Sequence, residues 1–180
     1  MSVIYLIRED LRTYTRDSTA SFVDFIRYLL KSPGFQAGLL HRLSHSARSN
    51  RLTIFSFLID RLILLFYGAE IRSTAQIGAG LNIAHTHGIV IGGRVKIGTG
   101  FSIRQCTTIG GNMGKTRSNL PHQSQPIIGN NVLIGCNSAI LGPIKIGNNV
   151  VVGACSLVLK DVQDNRIVAG VPSRELSSKQ

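Results

Sequence analysis

The chain has 180 residues, which is enough for one domain with a sizeable core. A hydrophobic share of 43% and a charged share of 16% exclude a disordered chain. The formal net charge of +11 favours an anionic ligand, for which nucleic acid, a phosphorylated cofactor and an acidic glycan all qualify. Three cysteines without C-x-x-C spacing argue against a disulfide framework or a cysteine zinc site. We therefore expect a cytoplasmic protein in which the cysteines are small buried filler.

Residues 1–68 predict a helical lobe. Polar residues at 18–21 offer caps for a helix with the sequence FVDFIRYLLK, which Pro33-Gly34 should end. A second helix is expected from about residue 35 to residue 47, and Gly68 should end a third.

The third helix covers the apolar run LTIFSFLIDRLILLFY at residues 52–67. Its sixteen residues include Asp60-Arg61, whereas a spanning helix needs about twenty mostly apolar residues. We therefore expect no membrane span. The run should pack within the protein or against another subunit, with peripheral contact at the inner face of a membrane as the alternative.

Aliphatic residues recur at every sixth position after Gly68. They form three phased runs: Ile71, Ile77, Ile83; Ile91, Ile97, Ile103, Ile109; and Ile128, Ile134, Ile140, Ile146, Val152, Val158. A period of six fits neither a helix nor a simple strand, but it fits a β-helix in which each unit makes one short strand and one turn. Three units close a triangular coil, so thirteen units predict a little over four coils. Glycine and asparagine, as in Gly129-Asn130-Asn131, should supply the corner dihedrals.

The phase breaks twice, and both breaks contain histidine. The segment AHTHGIVI contains two extra residues, and residues 110–127 are predicted to form a loop that protrudes from the coil. His85, His87 and His122 are therefore candidates for proton transfer from a hydroxyl. Glu70 precedes His85 by almost one coil and could hold the far N–H of its imidazole, although a solvated corner carboxylate is the alternative.

The segments GAEIRSTAQIGAGLNIAHTHGIVIGG, IRQCTTIGGNMGK and VAGVPSR resemble the serine acetyltransferase family of left-handed β-helix acyltransferases. The resemblance implies a mainly β fold, a left-handed parallel β-helix of about four coils with an N-terminal α-helical lobe and an extended loop. It assigns residues 69–162 to the β-helix and residues 163–180 to a tail that closes the cofactor site. It also implies acetyl-CoA as co-substrate, no metal, and a homotrimer, with pairing of two trimers left open.

The same resemblance assigns roles residue by residue. The catalytic group would be His85 with Glu70 and His122, and the acceptor would meet Asp17, His87 and His122. The residues implied in cofactor binding are Gly110, Gly111, Lys115, Gly135, Gly153, Ala154, Gly170 and Arg174.

Two departures from the family pattern bear on the acceptor. Ala84 stands where the family usually has Asp, and Pro121 stands where it usually has Arg. Each lost charge-assisted contact to free serine is worth about 1.5–3 kcal/mol. In length the chain also resembles short relatives from capsule and exopolysaccharide clusters. We therefore expect a sugar hydroxyl of a surface polysaccharide or its precursor as the acceptor, with free serine as the alternative.

Three other functions compete with acetyl transfer. A zinc hydratase on the same coil would need three convergent histidines, but Arg117 stands where one ligand would be expected. A nucleic-acid binder would explain the charge, but basic residues do not alternate with exposed aromatic ones, so we expect no nucleic-acid partner. A non-enzymatic scaffold would need no histidine at the phase breaks.

Overall fold

The computed structural model describes residues 2–15, 17, 19–113 and 123–178. Its helices, in chain order, are α1 (Val3–Thr15), α2 (Phe22–Lys31), α3 (Pro33–Ser49) and α4 (Thr53–Tyr67). The sequence did not delimit α1. Pro33 follows the end of α2, as predicted, and is itself the first residue of α3. A proline is tolerated at the first helical position because its missing N–H would make no intrahelical hydrogen bond there. Gly68 ends α4 in the left-handed conformation, as predicted.

Short parallel strands follow the helices. They are β1 (Glu70–Ile71), β2 (Gln76–Ile77), β3 (Asn82–Ile83), β4 (Val90–Ile91), β5 (Lys96–Ile97), β6 (Ser102–Ile103), β7 (Thr108–Gly110), β8 (Ile127–Ile128), β9 (Leu133–Ile134), β10 (Ala139–Leu141), β11 (Lys145–Ile146), β12 (Val151–Val152), β13 (Leu157–Val158), β14 (Arg166–Ala169) and β15 (Arg174–Ser178).

These strands form the three faces of a prism. The first sheet has the order β1-β4-β7-β10-β13, the second β2-β5-β8-β11, and the third β3-β6-β9-β12-β14 with β15 added antiparallel at its edge. The architecture is the left-handed parallel β-helix that the six-residue period and the resemblance predicted. Four coils are complete, and β14 continues the third sheet beyond residue 162, where the sequence analysis placed the end of the coils.

The core of the prism is made by the first residue of each repeat. These aliphatic side chains are buried at 7% exposure or less and stack on their equivalents in the next coil. At the corner between the second and third sheets, Asn131 and Asn149 have φ values of 55° and 56°. Asparagine tolerates this left-handed conformation, so these residues turn the chain as predicted.

A buried ion pair between Asp10 and Arg42 attaches the helical lobe to the first coil. The Asp10 carboxylate accepts hydrogen bonds from Arg42 Nε at 2.8 Å and from the backbone N–H groups of Gly80 and Leu81 at 2.9 and 2.8 Å. Arg42 also donates to the carbonyl of Gly78 at 2.7 Å. Because both charges are hydrogen-bonded on several sides, their burial is compensated.

A second lobe contact holds the strand that leads into the His85 turn. The Tyr14 hydroxyl donates to the Ile83 carbonyl at 3.1 Å and accepts from the Ile83 N–H at 2.9 Å. Burial raises the pKa of Tyr14 above its ordinary value, so its hydroxyl stays protonated. The N-terminal turn of α3 comes so near that a Cβ at Gly34 would lie 1.8 Å from the same carbonyl oxygen. These contacts fix the backbone two residues before His85.

Candidate active site

The first phase break forms an enlarged corner between the third and first sheets, at residues 84–89. Thr86 is buried in this turn, while His85 and His87 on either side of it are exposed. The Gly88 N–H donates to the carbonyl of Gly68 at 2.9 Å, which ties the turn to the end of α4. On the other side, the His87 carbonyl accepts from the N–H of Cys106 at 2.8 Å in the next coil. The turn is therefore held at both edges and presents two imidazoles to solvent.

Predicted cofactor residues lie along the same corner as His85. The third-sheet register pairs Ile83 with Ile103, Ile103 with Ile134, Ile134 with Val152, and Val152 with Val168. Counted back from the first sheet, where Ile91 pairs with Ile109, His87 aligns with Gln105, and the series continues through Cys136, Ala154 and Gly170 in the successive coils. His85 is one of the two extra residues of this corner. Strands in a sheet are about 4.8 Å apart, so Ala154 lies three coils, or about 14 Å, along the prism from the histidine turn. An elongated donor could follow this edge with its reactive end at the imidazole.

The predicted cofactor glycines differ in what surrounds them. A Cβ at Gly135 would lie 2.5 Å from the backbone N of Ala154, and one at Gly153 would lie 2.8 Å from Cβ of Ala169. The packing between coils thus requires these two glycines whatever they bind. A Cβ at Gly110, in the first sheet, would meet no atom of the described residues within 4 Å.

Glu70 begins the first sheet beside the histidine turn, and its N–H donates to the carbonyl of Ile89 at 2.8 Å. Its half-exposed carboxylate pairs with Arg72 at 2.8 Å. Within the described residues it makes no hydrogen bond to the His85 ring. The support of the imidazole by this carboxylate therefore stays a prediction.

Asp17 lies at another corner of the prism. Its carboxylate accepts hydrogen bonds from the N–H and hydroxyl of Thr19, both at 2.9 Å. It borders a cleft of about 550 Å³ whose other lining residues include Arg12, Gly80 and Thr99, at the corner between the second and third sheets. Within one chain, Asp17 and His85 thus do not share a cavity among the described residues.

The remaining predicted site residues are His122, Lys115, Arg174 and Gly111. His122 and Lys115 lie outside the described residues. Arg174 is exposed at the start of β15, at the end of the prism opposite the helical lobe. Gly111 leaves β7 where the extended loop begins, with the Ser124 carbonyl 3.4 Å from the position of a Cβ.

Gln105 is a site candidate that the sequence analysis missed. It occupies the position of His87 one coil further on, and its buried Oε1 has no hydrogen-bond partner among the described residues. A buried acceptor without a partner is costly, so this atom is suited to receive a donor from a ligand. Aligning the residues four positions before Ile91 and Ile109 would have placed Gln105 beside His87.

The cysteines were expected to be buried filler, and for two of them this is wrong. Cys106 and Cys155 are exposed and Cys136 is half-buried; none forms a disulfide. Cys106 and Cys155 stand at left-handed corner positions, with φ of 56° and 55°, where the side chain points away from the coil. In the part of the chain that the structure describes, no three His, Cys, Asp or Glu side chains gather closely enough to hold a metal ion.

Comparison with known proteins defines the class of this fold and site. Residues 125–160 match the family model described as bacterial transferase hexapeptide (six repeats). A serine acetyltransferase of Synechococcus elongatus is 40% identical over 149 residues, which cover 83% of this chain and 59% of that protein. A serine acetyltransferase of Bacillus pumilus is 33% identical over 170 residues, which cover 94% of this chain and 75% of that protein.

Solved structures agree with these relatives. Serine acetyltransferase of Brucella abortus in complex with coenzyme A superposes with a TM-score of 0.86 at 30% identity, over 98% of this chain and 68% of that one. The protein is therefore a hexapeptide-repeat protein of the transferase type. More particularly, the chain belongs to the serine acetyltransferase family. It spans about three fifths of the length of its Synechococcus relative.

Proposed function

We propose that the chain is an acetyl-CoA-dependent O-acetyltransferase in which His85 is the general base. The observation that carries this proposal is the exposed His85 imidazole at the head of a corner lined by glycine and alanine. A relative of the same fold has been solved with coenzyme A, which supports an acyl-CoA donor along this edge. No described residue fills the space beside Gly110, which leaves room for the donor where the loop begins.

The reaction would be a direct transfer. The His85 ring accepts the proton of the acceptor hydroxyl, whose oxygen forms a bond to the thioester carbonyl carbon. Backbone N–H groups hold the oxyanion, the C–S bond breaks, and the proton passes from the imidazole to the leaving thiolate. General-base assistance of this kind is worth roughly 10²–10⁴-fold in rate.

Serine is the acceptor that the relatives favour. The Synechococcus and Bacillus relatives are both named serine acetyltransferases, which supports serine over the sugar hydroxyl preferred in the sequence analysis. A sugar hydroxyl is the second candidate, because Ala84 offers a methyl group beside His85 where a carboxylate could hold the ammonium group of serine.

Assembly as a trimer would complete the site. His85 and Asp17 lie at different corners of one prism. In a three-fold assembly, each prism would present one corner to a different corner of its neighbour, which would bring His85 of one copy close to Asp17 of the next. Such an interface would also cover the open edge beside His85. Sedimentation should then give three times the chain mass of 19.5 kDa, and a monomer at assay concentration would contradict a shared site.

A cytoplasmic location is part of the proposal. The free thiols of Cys106, Cys136 and Cys155, two of them exposed, fit a reducing compartment. Thiol labelling of protein taken from intact cells would check this, since oxidised cysteines would contradict it.

Replacing the two turn histidines separately tests the assigned roles. We expect His85→Ala to lower kcat by about 10²–10⁴-fold, because the general base is lost. His87→Ala, in the same turn and also exposed, should act mainly on KM for the acceptor. Circular dichroism should be unchanged for both. Equal kcat for His85→Ala and the wild type would refute the mechanism.

The acceptor is tested by thioester consumption with L-serine and with a panel of sugars. We expect turnover of serine at millimolar concentration. Ala84→Asp should raise kcat/KM for serine about tenfold or more by adding one charge-assisted contact, and Ala84→Asn is the neutral control. Turnover of a sugar without turnover of serine would favour the second candidate.

A further inference from the structure

Helix α4 leaves most of its apolar surface without a partner in the described chain. Only Ser56 and Ile63 are buried, and Ile59, Asp60 and Tyr67 are partly buried on the same seam. Eight large apolar side chains of α4 remain exposed by 37–76%: Ile54, Phe55, Phe57, Leu58, Leu62, Leu64, Leu65 and Phe66. A helix that is apolar on nearly all sides needs an apolar environment beyond the one seam that it packs.

The charges around this surface are positive. Asp60 is turned toward the protein, where it accepts from the Ser44 hydroxyl at 2.5 Å and from the N–H of Ser73 at 3.2 Å. The exposed charge of α4 is Arg61, whose guanidinium lies 5.0 Å from the ring centroid of Phe57. Arg48 and Arg51 are exposed just before the helix begins. The surface therefore combines apolar side chains with cations and presents no carboxylate of its own helix.

The length of α4 decides how it could meet a membrane. Its fifteen residues give about 22 Å of helix, against a hydrocarbon thickness of about 30 Å. No helix within the described residues is both long enough and apolar enough to cross a bilayer. A helix with this surface can instead lie in the plane of the interface, with its apolar side among the acyl chains.

We propose that α4 is an in-plane anchor that docks this protein on an anionic lipid surface. Leu65 and Phe66 enter the acyl region, and Arg61 extends along Phe57 to the level of the phosphates. Arg48 and Arg51 meet the headgroups at the start of the helix. The proposal does not depend on acetyl transfer.

Charge favours lipid over a symmetric α4-to-α4 contact between two copies of the chain, and a neighbour in the proposed three-fold contact is the occupant that the Leu65→Glu variant below tests. In a symmetric contact, α4 would face α4, and the Arg61 side chains of both copies would enter one apolar interface. The helix has no exposed carboxylate with which to pair them. An anionic bilayer supplies phosphates for the same arginines and hydrocarbon for the same apolar side chains.

The absence of tryptophan from the chain allows a direct test in the full-length protein. Phe66→Trp puts one fluorophore on α4, and Leu176→Trp puts one at a comparably exposed site on β15, at the other end of the prism. With vesicles of phosphatidylcholine and phosphatidylglycerol, we expect blue-shifted emission and quenching by brominated acyl chains for Phe66→Trp alone. High salt and pure phosphatidylcholine should both weaken the effect.

Flotation with the same vesicles gives the energetic control. Leu65→Glu should weaken binding about 10- to 100-fold, because one buried apolar side chain is replaced by a charge. Leu176→Glu should leave binding unchanged. Failure of the wild-type chain to float with anionic vesicles, or quenching that is equal at both tryptophan sites, would overturn the proposal. So would a Leu65→Glu variant that dissociates the assembly, which would identify a second copy as the occupant.

Discussion

At the scale of single residues, two glycines that were assigned to cofactor binding, Gly135 and Gly110, differ in what surrounds them. Gly135 has no room for a Cβ because the next coil is in contact with it, so packing alone accounts for glycine at this position. Gly110 has room, and its φ is outside the region reserved for glycine. A side chain at Gly110 would therefore occupy the space proposed for the donor without disturbing the coil.

Two substitutions separate these cases. Gly110→Leu should change the free energy of unfolding by no more than about 0.5 kcal/mol, while KM for acetyl-CoA rises about tenfold or more. Gly135→Leu should destabilise the fold by about 1–3 kcal/mol or more through overpacking. Urea unfolding and initial rates measure both effects. Unchanged acetyl-CoA kinetics in folded Gly110→Leu would remove this residue from the cofactor site.

At the scale of elements, the lobe and the prism are joined where α1 and α3 meet the first coil. The ion pair between Asp10 and Arg42 is almost fully buried, with side-chain exposures of 5% and 2%. Another pair on α1, Glu9 with Arg12, is partly exposed and joins only residues of the same helix. The two pairs have the same charges but differ in their access to water.

We expect the two pairs to respond very differently to truncation. Asp10→Ala leaves Arg42 buried without its counter-ion and should cost about 3–5 kcal/mol of unfolding free energy. Arg12→Ala should cost about 0–1 kcal/mol, because solvent screens the exposed pair. In urea titrations, the double variant Asp10→Ala/Arg42→Ala should lose less than the sum of its single variants. If the losses of the two single variants simply add in the double variant, Asp10 and Arg42 do not stabilise the fold as a pair.

At the scale of the whole molecule, stability should depend on pH through one buried histidine. His41 is fully buried on α3, and its Nδ1 has no partner among the described residues. Burial, with smaller contributions from Arg42 and His45, lowers the pKa of His41 from 6.5 to about 3. Below pH 6.5 the unfolded chain therefore binds a proton at His41, whereas His41 of the folded chain stays neutral until the pH approaches 3.

The stability that neutral His41 contributes is complete above pH 6.5 and is lost as the pH falls from 6.5 towards 3. The loss should approach about 1.4 kcal/mol per pH unit, or about 2 kcal/mol at pH 5. Urea midpoints measured from pH 7 to pH 5 give this slope. His41→Leu should flatten it, and an unchanged slope in that variant would assign the acid sensitivity to other groups.

Much of the fold could be predicted from the sequence, because a period of six has one regular solution. The aliphatic residues at Ile71 and its repeats bury themselves only if each unit turns by one face of a triangle. The breaks in that period predicted the enlarged turn that presents His85 and His87. The end of α4 followed from Gly68, whose left-handed conformation stops the helix.

Which groups meet in space was decided only by the tertiary structure. The partner of Glu70 is Arg72, and Asp17 lies at a different corner from His85. Neither outcome follows from the repeat pattern, because each depends on how side chains and corners are oriented after the coil has closed. The exposure of Cys106 has the same origin. Periodicity in the sequence specifies which residues point inward, since burial repeats with the coil. Contacts on the outer surface depend on packing between elements far apart in the chain, and the apolar face of α4 is free because the fold uses only one seam of that helix.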